Sequence, residues 1–236
     1  MNGRRYGAIL FSALALAGAT QTPKAPAPLK RYDFQWRPRL GQTLKYRLSM
    51  DFDLEGNPMN LDADLRQAVK RKDKKGIFDV EFSTLNVKVT SSEGVQRLPD
   101  APASIERYDA SGKLVADSRE PQDDLTRILA QGTDLRPPTA PVKVGEKWSS
   151  TSDFASGQPL KRDYRLIAEE KRGKIPVLKV KFAFAVPGEG KPKGDGYFLI
   201  DARDSTIYEC EVSMHHALFS QDVAPGDLKV RMQRVF

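Results

Sequence analysis

Two histidines, His215 and His216, stand side by side in the stretch TIYECEVSMHHALF, a few residues after Glu209 and Glu211. Imidazoles and carboxylates are the usual side chains for holding a metal and for moving protons. The stretch alternates apolar and polar residues, which marks a β-strand, and neighbours on a strand face opposite ways. The two imidazoles therefore cannot share an ion. His216 falls in phase with Tyr208, Cys210, Val212, Met214 and Leu218, where it reads as a satisfied core histidine. His215 shares the polar face with Glu211, but four residues of strand cover about 13 Å, too far for common ligand bonds of about 2 Å. Glu209 and Glu211 lie about 7 Å apart, near the separation of carboxylate pairs in glycosidases. With Asp201 they are the candidate groups for a hydrolase of envelope polysaccharide, although acidic pairs are commonplace on exposed strand faces.

No Gly-x-Ser-x-Gly elbow, Walker loop, HExxH or CxxC occurs in the chain. GEGKPKGDG (Gly188 to Gly196) has the glycines and lysines of a phosphate loop, but it lacks the Gly-Lys-Ser/Thr ending and runs into the strand-like YFLID. It reads as a flexible hairpin tip. Cys210 is the single cysteine, so no disulfide forms within the chain, and its place in the alternation makes it a small buried hydrophobe. These observations point to no cofactor, no metal and no catalytic residue.

The elements that would position any site come next. MNGRRYGAILFSALALAGAT reads as an export signal: Arg4 and Arg5, an apolar run to about Leu16, then Ala17-Gly18-Ala19 for cleavage. The run is shorter than the roughly 20 residues that span a bilayer, and no cysteine follows it for lipidation. Residues 1–19 are the expected signal peptide and 20–31 a Pro-, Ala- and Lys-rich tether. Residues 32–236 are then one β domain, exported to the periplasm or beyond it and without a stable membrane anchor. Cleavage after Ala19 lowers the formal net charge from +7 to +5. A chain of this size buries about 70% of its unfolded surface and needs no staples.

Alternation dominates the rest. Leu44, Tyr46, Leu48, Met50, Phe52 and Leu54 form one face of the first strand. Phe78, Val80 and Phe82 are followed by Leu85, Val87 and Val89 in the opposite phase, so a bulge is expected near Ser83-Thr84. PRLGQTLKY (Pro38 to Tyr46) and PVKVGEKW (Pro141 to Trp148) place Leu40, Gly41 and Leu44 in register with Val144, Gly145 and Trp148, 104 positions later. Turns around Gly76 and Gly173 repeat in the same order, as do YDASGKLV and IDARDSTIY. The expected fold is all-β and mainly antiparallel. Two pseudo-repeated β-meanders, about 36–120 and 141–236, form a curved sheet, sandwich or incomplete barrel. A short helix near 121–131 (PQDDLTRILAQ) joins them, and the two apolar faces are expected to bury each other.

RLGQTLKYRL, ERYDASGK, PPTAPVKVGEKWSS and GDGYFLIDARDSTIYECEV together resemble an uncharacterised family of exported bacterial β-proteins, carried as a domain of unknown function. The likeness covers about Leu40 to Val212. Arg203-Asp204-Ser205 stands where the family's turn glycine is expected. The resemblance implies the β fold and export, and no activity.

The functional expectation is a non-enzymatic module with an apolar concavity lined by Leu44, Tyr46, Leu48, Phe52, Phe182, Phe184, Tyr208 and Met214. Its candidate partners are a lipid or an envelope protein. Alternatives are the polysaccharide hydrolase and a structural component of an envelope assembly. The basic runs KRKDKK (Lys70 to Lys75) and EEKRGK (Glu169 to Lys174) contain no aromatic residue, which speaks against nucleic acid. They read as solvated hairpin tips able to touch acidic polymers or anionic head groups. The sequence sets no oligomeric state.

Overall fold

In the computed structural model the described residues are 30–54, 56–100, 102–109, 114–117, 135–153, 159–217 and 225–236. The signal peptide, nearly all of the tether and the helix expected near 121–131 lie outside them. The first half supplies β1 (Thr43–Leu54), β2 (Asn57–Lys72), β3 (Phe78–Ser91), β4 (Gly94–Arg97), β5 (Ser104–Tyr108) and β6 (Leu114–Asp117). The second supplies β7 (Lys147–Asp153), β8 (Pro159–Arg172), β9 (Ile175–Ala185), β10 (Lys193–Asp201), β11 (Ile207–Ala217) and β12 (Gly226–Val235).

All ladders are antiparallel, and the strands form one sheet in the order β6-β5-β3-β2-β1-β12-β11-β10-β9-β8-β7, with β4 paired to β3 alone. The two meanders are therefore not separate sheets laid face to face, as the sequence suggests. They share a ladder between the first strand and the last, from Lys45–Val235 to Phe52–Leu228. A continuous ladder satisfies the backbone groups of both strands, which two independent sheets would leave as open edges. Among the described residues no ladder joins β6 to β7, so the sheet stays open.

The repeated turn is built the same way in both halves. Gly41 and Gly145 have φ of 77° and 93°, a conformation open to glycine and costly for residues with a Cβ. Gly41 donates to the Val69 carbonyl and Gln42 accepts from the Val69 amide. Gly145 and Glu146 bracket Leu166 in the same manner. The Gln42 and Glu146 side chains accept from the amides of Arg39 and Lys143. The echo at an interval of 104 residues is thus one hydrogen-bonded device used twice, although β1 lies in the middle of the sheet and β7 at its edge.

A strap of extended chain fixes the curvature. Tyr32 pairs through its backbone with Val142, and the Phe34 ring lies 5.5 Å from Trp148 at the start of β7. Trp36 lies 5.4 Å from Phe78 of β3 and 5.0 Å from Tyr108 of β5. Four residue steps of extended chain cover about 13 Å, whereas β5 and β7 would stand roughly 43 Å apart in a flat sheet of 4.8 Å spacing. Only a sheet that curls, concave toward its apolar face, brings both under one strap. The strap crosses the end at which β1, β3, β7, β9 and β11 begin, and seals it. The opposite end is the mouth.

Strap and sheet are tied at Glu169, whose carboxylate accepts from Lys30 Nζ at 2.7 Å and from Tyr32 Oη at 2.7 Å. The Lys30 bond, then the Tyr32 bond, holds the Glu169 pKa below its ordinary 4.5. A carboxylate depressed by folding contributes stability that is complete above its unfolded pKa and is lost as pH falls through the folded one. Acidification below about 4.5 should therefore loosen the strap. Trp36 and Trp148, the only two tryptophans, both touch it, so intrinsic fluorescence should shift to the red in that acid range. Glu169→Gln should abolish the acid step, and a step that survives the substitution would assign it to another group.

Candidate functional site

The concave face is built as belts that run across the strands. One belt reads Trp148, Tyr164, Phe182, Gly196, Val212, Val230, Met50, Leu61 and Val89, directly paired from β7 around to β3. Nearer the sealed end, Leu166, Val180, Phe198, Cys210, Met232, Leu48 and Ala63 make the next. Strict alternation creates each belt, because every inward residue meets an inward residue on the adjacent strand. All but Gly196 belong to one apolar cluster. Burial raises the Cys210 thiol pKa, which makes it an inert core group.

The glycine in the aromatic belt has a packing reason. Phe182 lies over Gly196, stacks on Phe198 at 4.5 Å and faces Tyr164 at 6.1 Å. A Cβ on Gly194 would meet the Phe184 ring at 2.7 Å, and one on Gly196 would meet the Glu211 carbonyl oxygen at 2.1 Å. These two glycines belong to β10 and not to a flexible tip, as GEGKPKGDG suggests; the missing side chains let rings and backbone approach.

At the mouth the belt changes character along its length. Met214, Leu228, Phe52 and Met59 pair successively across β11, β12, β1 and β2. Met214 and Leu228 are buried, whereas Phe52 and Met59 are half-buried. A groove of about 710 Å³ at this end is lined mainly by the outward-facing Asp51, Asn60, Thr90, Ser213 and Lys229 of the same strands. On the other side the same belt continues through Phe184 to Arg162 and Ser150. Arg162 is only 3% exposed and donates to Ser152 Oγ at 2.7 Å. A guanidinium thus stands on the otherwise apolar inner wall.

Of the eight lining residues expected from sequence, Phe52, Phe184 and Met214 lie in the mouth belt, Phe182 in the aromatic belt and Leu48 in the next. Leu44 and Tyr46 are buried deeper, where Tyr46 donates to the Ile207 carbonyl at 3.0 Å. Tyr208 is not part of this lining. Leu199 pairs with Glu209 and Ile200 with Ile207, so Tyr208 is the extra residue of a bulge and packs against Phe236 at 6.0 Å. A second bulge in β11, between Met214 and Ala217, turns His216 to a φ of 57° and out to solvent, and Ala217 takes the inner position. Sequence reading also passes over Arg162, the odd member of LKRDYRLIA, and the alternating Tyr32, Phe34 and Trp36 of the strap.

The carboxylates considered for hydrolysis are held in structural bonds. Glu209 accepts from Tyr197 Oη at 2.5 Å, and Glu211 pairs with Lys229 at 3.2 Å and Arg231 at 3.0 Å, both on the outer face. Burial works to raise the Glu211 pKa, but the Lys229 bond and the Arg231 charge hold it below the usual carboxylate value. A depressed carboxylate is a poor general acid at neutral pH. Among the described residues no three His, Cys, Asp or Glu side chains converge where a metal ion would sit.

No protein-family model and no curated protein sequence matches the chain. Among solved structures it is similar to lipovitellin, from a study of lipid–protein interactions in that protein, with 11% identity and a TM-score of 0.52. The match covers 84% of this chain and 25% of the lipovitellin chain, so the chain spans about a quarter of that relative. A Bacteroides fragilis protein with a YmcC-like fold matches over 86% of this chain and 99% of its own, at 11% identity and a TM-score of 0.37. The lipovitellin likeness is one of fold, and the second is too low to carry an argument.

Proposed function

We propose that the chain is an exported, non-catalytic module that holds an amphiphile against the concave face of its sheet. The observation that carries this reading is the curled sheet with an apolar concave face, crossed at one end by the strap and ending at the other in the half-buried Phe52 and Met59. Small-molecule sites are concave, mostly apolar and typically about 300–1,000 Å³, with a few polar groups that fix orientation. The concave face has that mixture, with Arg162 and Ser150 beside Phe184 among its apolar residues. The fold likeness to lipovitellin, whose solved structure concerns lipid–protein interactions, lends support of the same kind.

The test is organic extraction of the purified mature protein followed by mass spectrometry, with titration of the extracted protein by a fluorescent fatty acid. A bound amphiphile and saturable probe binding are expected. Phe52→Asp and Met59→Asp, both at half-buried positions of the mouth belt, should each weaken the probe at least about tenfold, a loss of roughly 1.4 kcal/mol. Probe binding that ignores both substitutions would end the reading. Envelope-polysaccharide hydrolysis lost in Glu211→Gln would replace it with the enzymatic one, and a co-purifying protein without any ligand would favour the structural one.

A further inference from the structure

The two basic runs in the sequence converge at the strap-sealed end. Lys72 ends β2 and Lys74 and Lys75 lie in the β2–β3 turn, Lys171 stands near the end of β8 and Lys174 in the β8–β9 turn, and all five are exposed. Among the described residues none of the five forms an ion pair; Lys72 lies over the Phe78 ring at 5.1 Å. The acids at the same end are committed internally. Glu169 binds Lys30, Glu170 binds Arg172, Asp79 binds Arg107, and Asp73 accepts from the amides of its own turn. Asp33, Asp201 and Glu146 likewise face Arg37, Arg203 and Arg31. Asp73 and Asp204 keep their charge on neutral donors, and the five lysines outnumber them, so an excess of positive charge faces solvent at this end.

Exposed apolar residues stand among these cations. The repeated turn presents Leu40 beside Arg39 and Val144 beside Lys143, at 64% and 48% exposure, and Phe236, next to the end of β12, is 83% exposed at the same end. Single exposed hydrophobes need no explanation, but several at one end of a sheet, interleaved with unpaired cations, match an interfacial membrane contact. Lysines suit a fluid layer of phosphates because each is a flexible point charge without a fixed fork geometry.

We propose that the sealed end docks reversibly on an anionic phospholipid surface, with the lysines at the phosphate level and Leu40, Val144 and Phe236 dipping into the head-group region. This docking does not depend on any ligand in the concave face, and it leaves the mouth pointing away from the surface.

Flotation of the mature chain with phosphatidylglycerol-containing vesicles, against pure phosphatidylcholine vesicles, tests it. Binding to the anionic vesicles alone, weakened by salt, is expected. Joint reversal of Lys72, Lys74 and Lys75 to Glu should cut apparent affinity at least about tenfold, and so should Leu40→Asp combined with Val144→Asp. Lys193→Glu at the mouth, with unchanged thermal stability in all variants, should leave it as it is. Equal binding to neutral vesicles, no binding to either, or indifference to the triple reversal would overturn the proposal. So would retained binding in the Leu40/Val144 variant with full competition by soluble polyphosphate, which would reduce the contact to adsorption of any polyanion. An interior found empty on extraction would end the amphiphile reading and leave this result standing.

Discussion

Asp201→Asn is expected to lower the unfolding free energy by about 3 kcal/mol and the melting temperature by roughly 6–12 °C. Asp201 closes β10 with no exposed surface. Its carboxylate accepts from Arg203 at 2.6 and 2.8 Å and from Arg234 of β12 at 3.3 Å, so it ties β10 to β12 across β11. Asparagine keeps the shape and removes the charge, which leaves the Arg234 guanidinium, 12% exposed, without its counter-ion. The loss falls at the lower end of the range for broken buried pairs because Arg203 is itself more than half exposed.

The same substitution has a pH signature. Burial works to raise the Asp201 pKa, but the Arg203 bonds and the Arg234 charge outweigh it and hold the group below its ordinary 3.8. Its stabilisation is complete above the unfolded pKa and disappears as pH falls through the folded value. The gap between wild type and variant should therefore be full at neutral pH, begin to narrow below about pH 3.8 and vanish once pH has fallen past the folded value, where both carry a neutral group. Thermal melts followed by circular dichroism across that range measure it. A gap that stays constant into acid would assign the loss to packing and not to charge.

Phe182→Ala is expected to cost about 3–5 kcal/mol, or roughly 6–20 °C in melting temperature. The ring lies over Gly196, stacks on Phe198 at 4.5 Å and neighbours Phe184 at 6.2 Å. Gly196 has no side chain to move into the vacated space, so a cavity remains and its lining loses dispersion contacts. Losses of this size are a large share of the roughly 5–15 kcal/mol that holds a domain together. Denaturant titration is the direct measurement. A loss under about 1 kcal/mol would mean that the ring faces water, and the belts on the concave face would not be a packed interior.

The strands were legible because alternation is a local property. Leu44 to Phe52 and Leu178 to Val186 can be read as one-sided strands without knowing their neighbours. The slip of phase expected near Ser83-Thr84 occurs a few residues later, where Asn86 takes a φ of 55° in the bulge opposite Ala63. The two bulges in β11 were not legible, since TIYECEVSMHH keeps perfect alternation on paper while the backbone inserts an extra residue at Tyr208 and another before Ala217. Alternation alone therefore puts Tyr208 and His216 on the inner face, whereas the bulges take both off it. Arg162 stayed hidden for the opposite reason: as a charged residue among inward positions it looked like an interruption of the pattern and not a member of it. The alternation of Tyr32, Phe34 and Trp36 was available as a signal, although three residues are too few to tell a strap from the end of a tether.

Composition and spacing alone determined that the described chain is built of antiparallel strands with one apolar face, that Cys210 is a core group, and that a turn around Gly41 recurs around Gly145. Each of these follows from the chemistry of residues close together along the chain. The tertiary structure decided that the halves join edge to edge through β1 and β12, that a strap closes one end, and that two distant lysine turns share that end with Leu40 and Val144. Such outcomes depend on ladder register and sheet curvature, which are set by the summed pairing of all strands and by bulges that shift phase by one residue. No short stretch of sequence contains that sum.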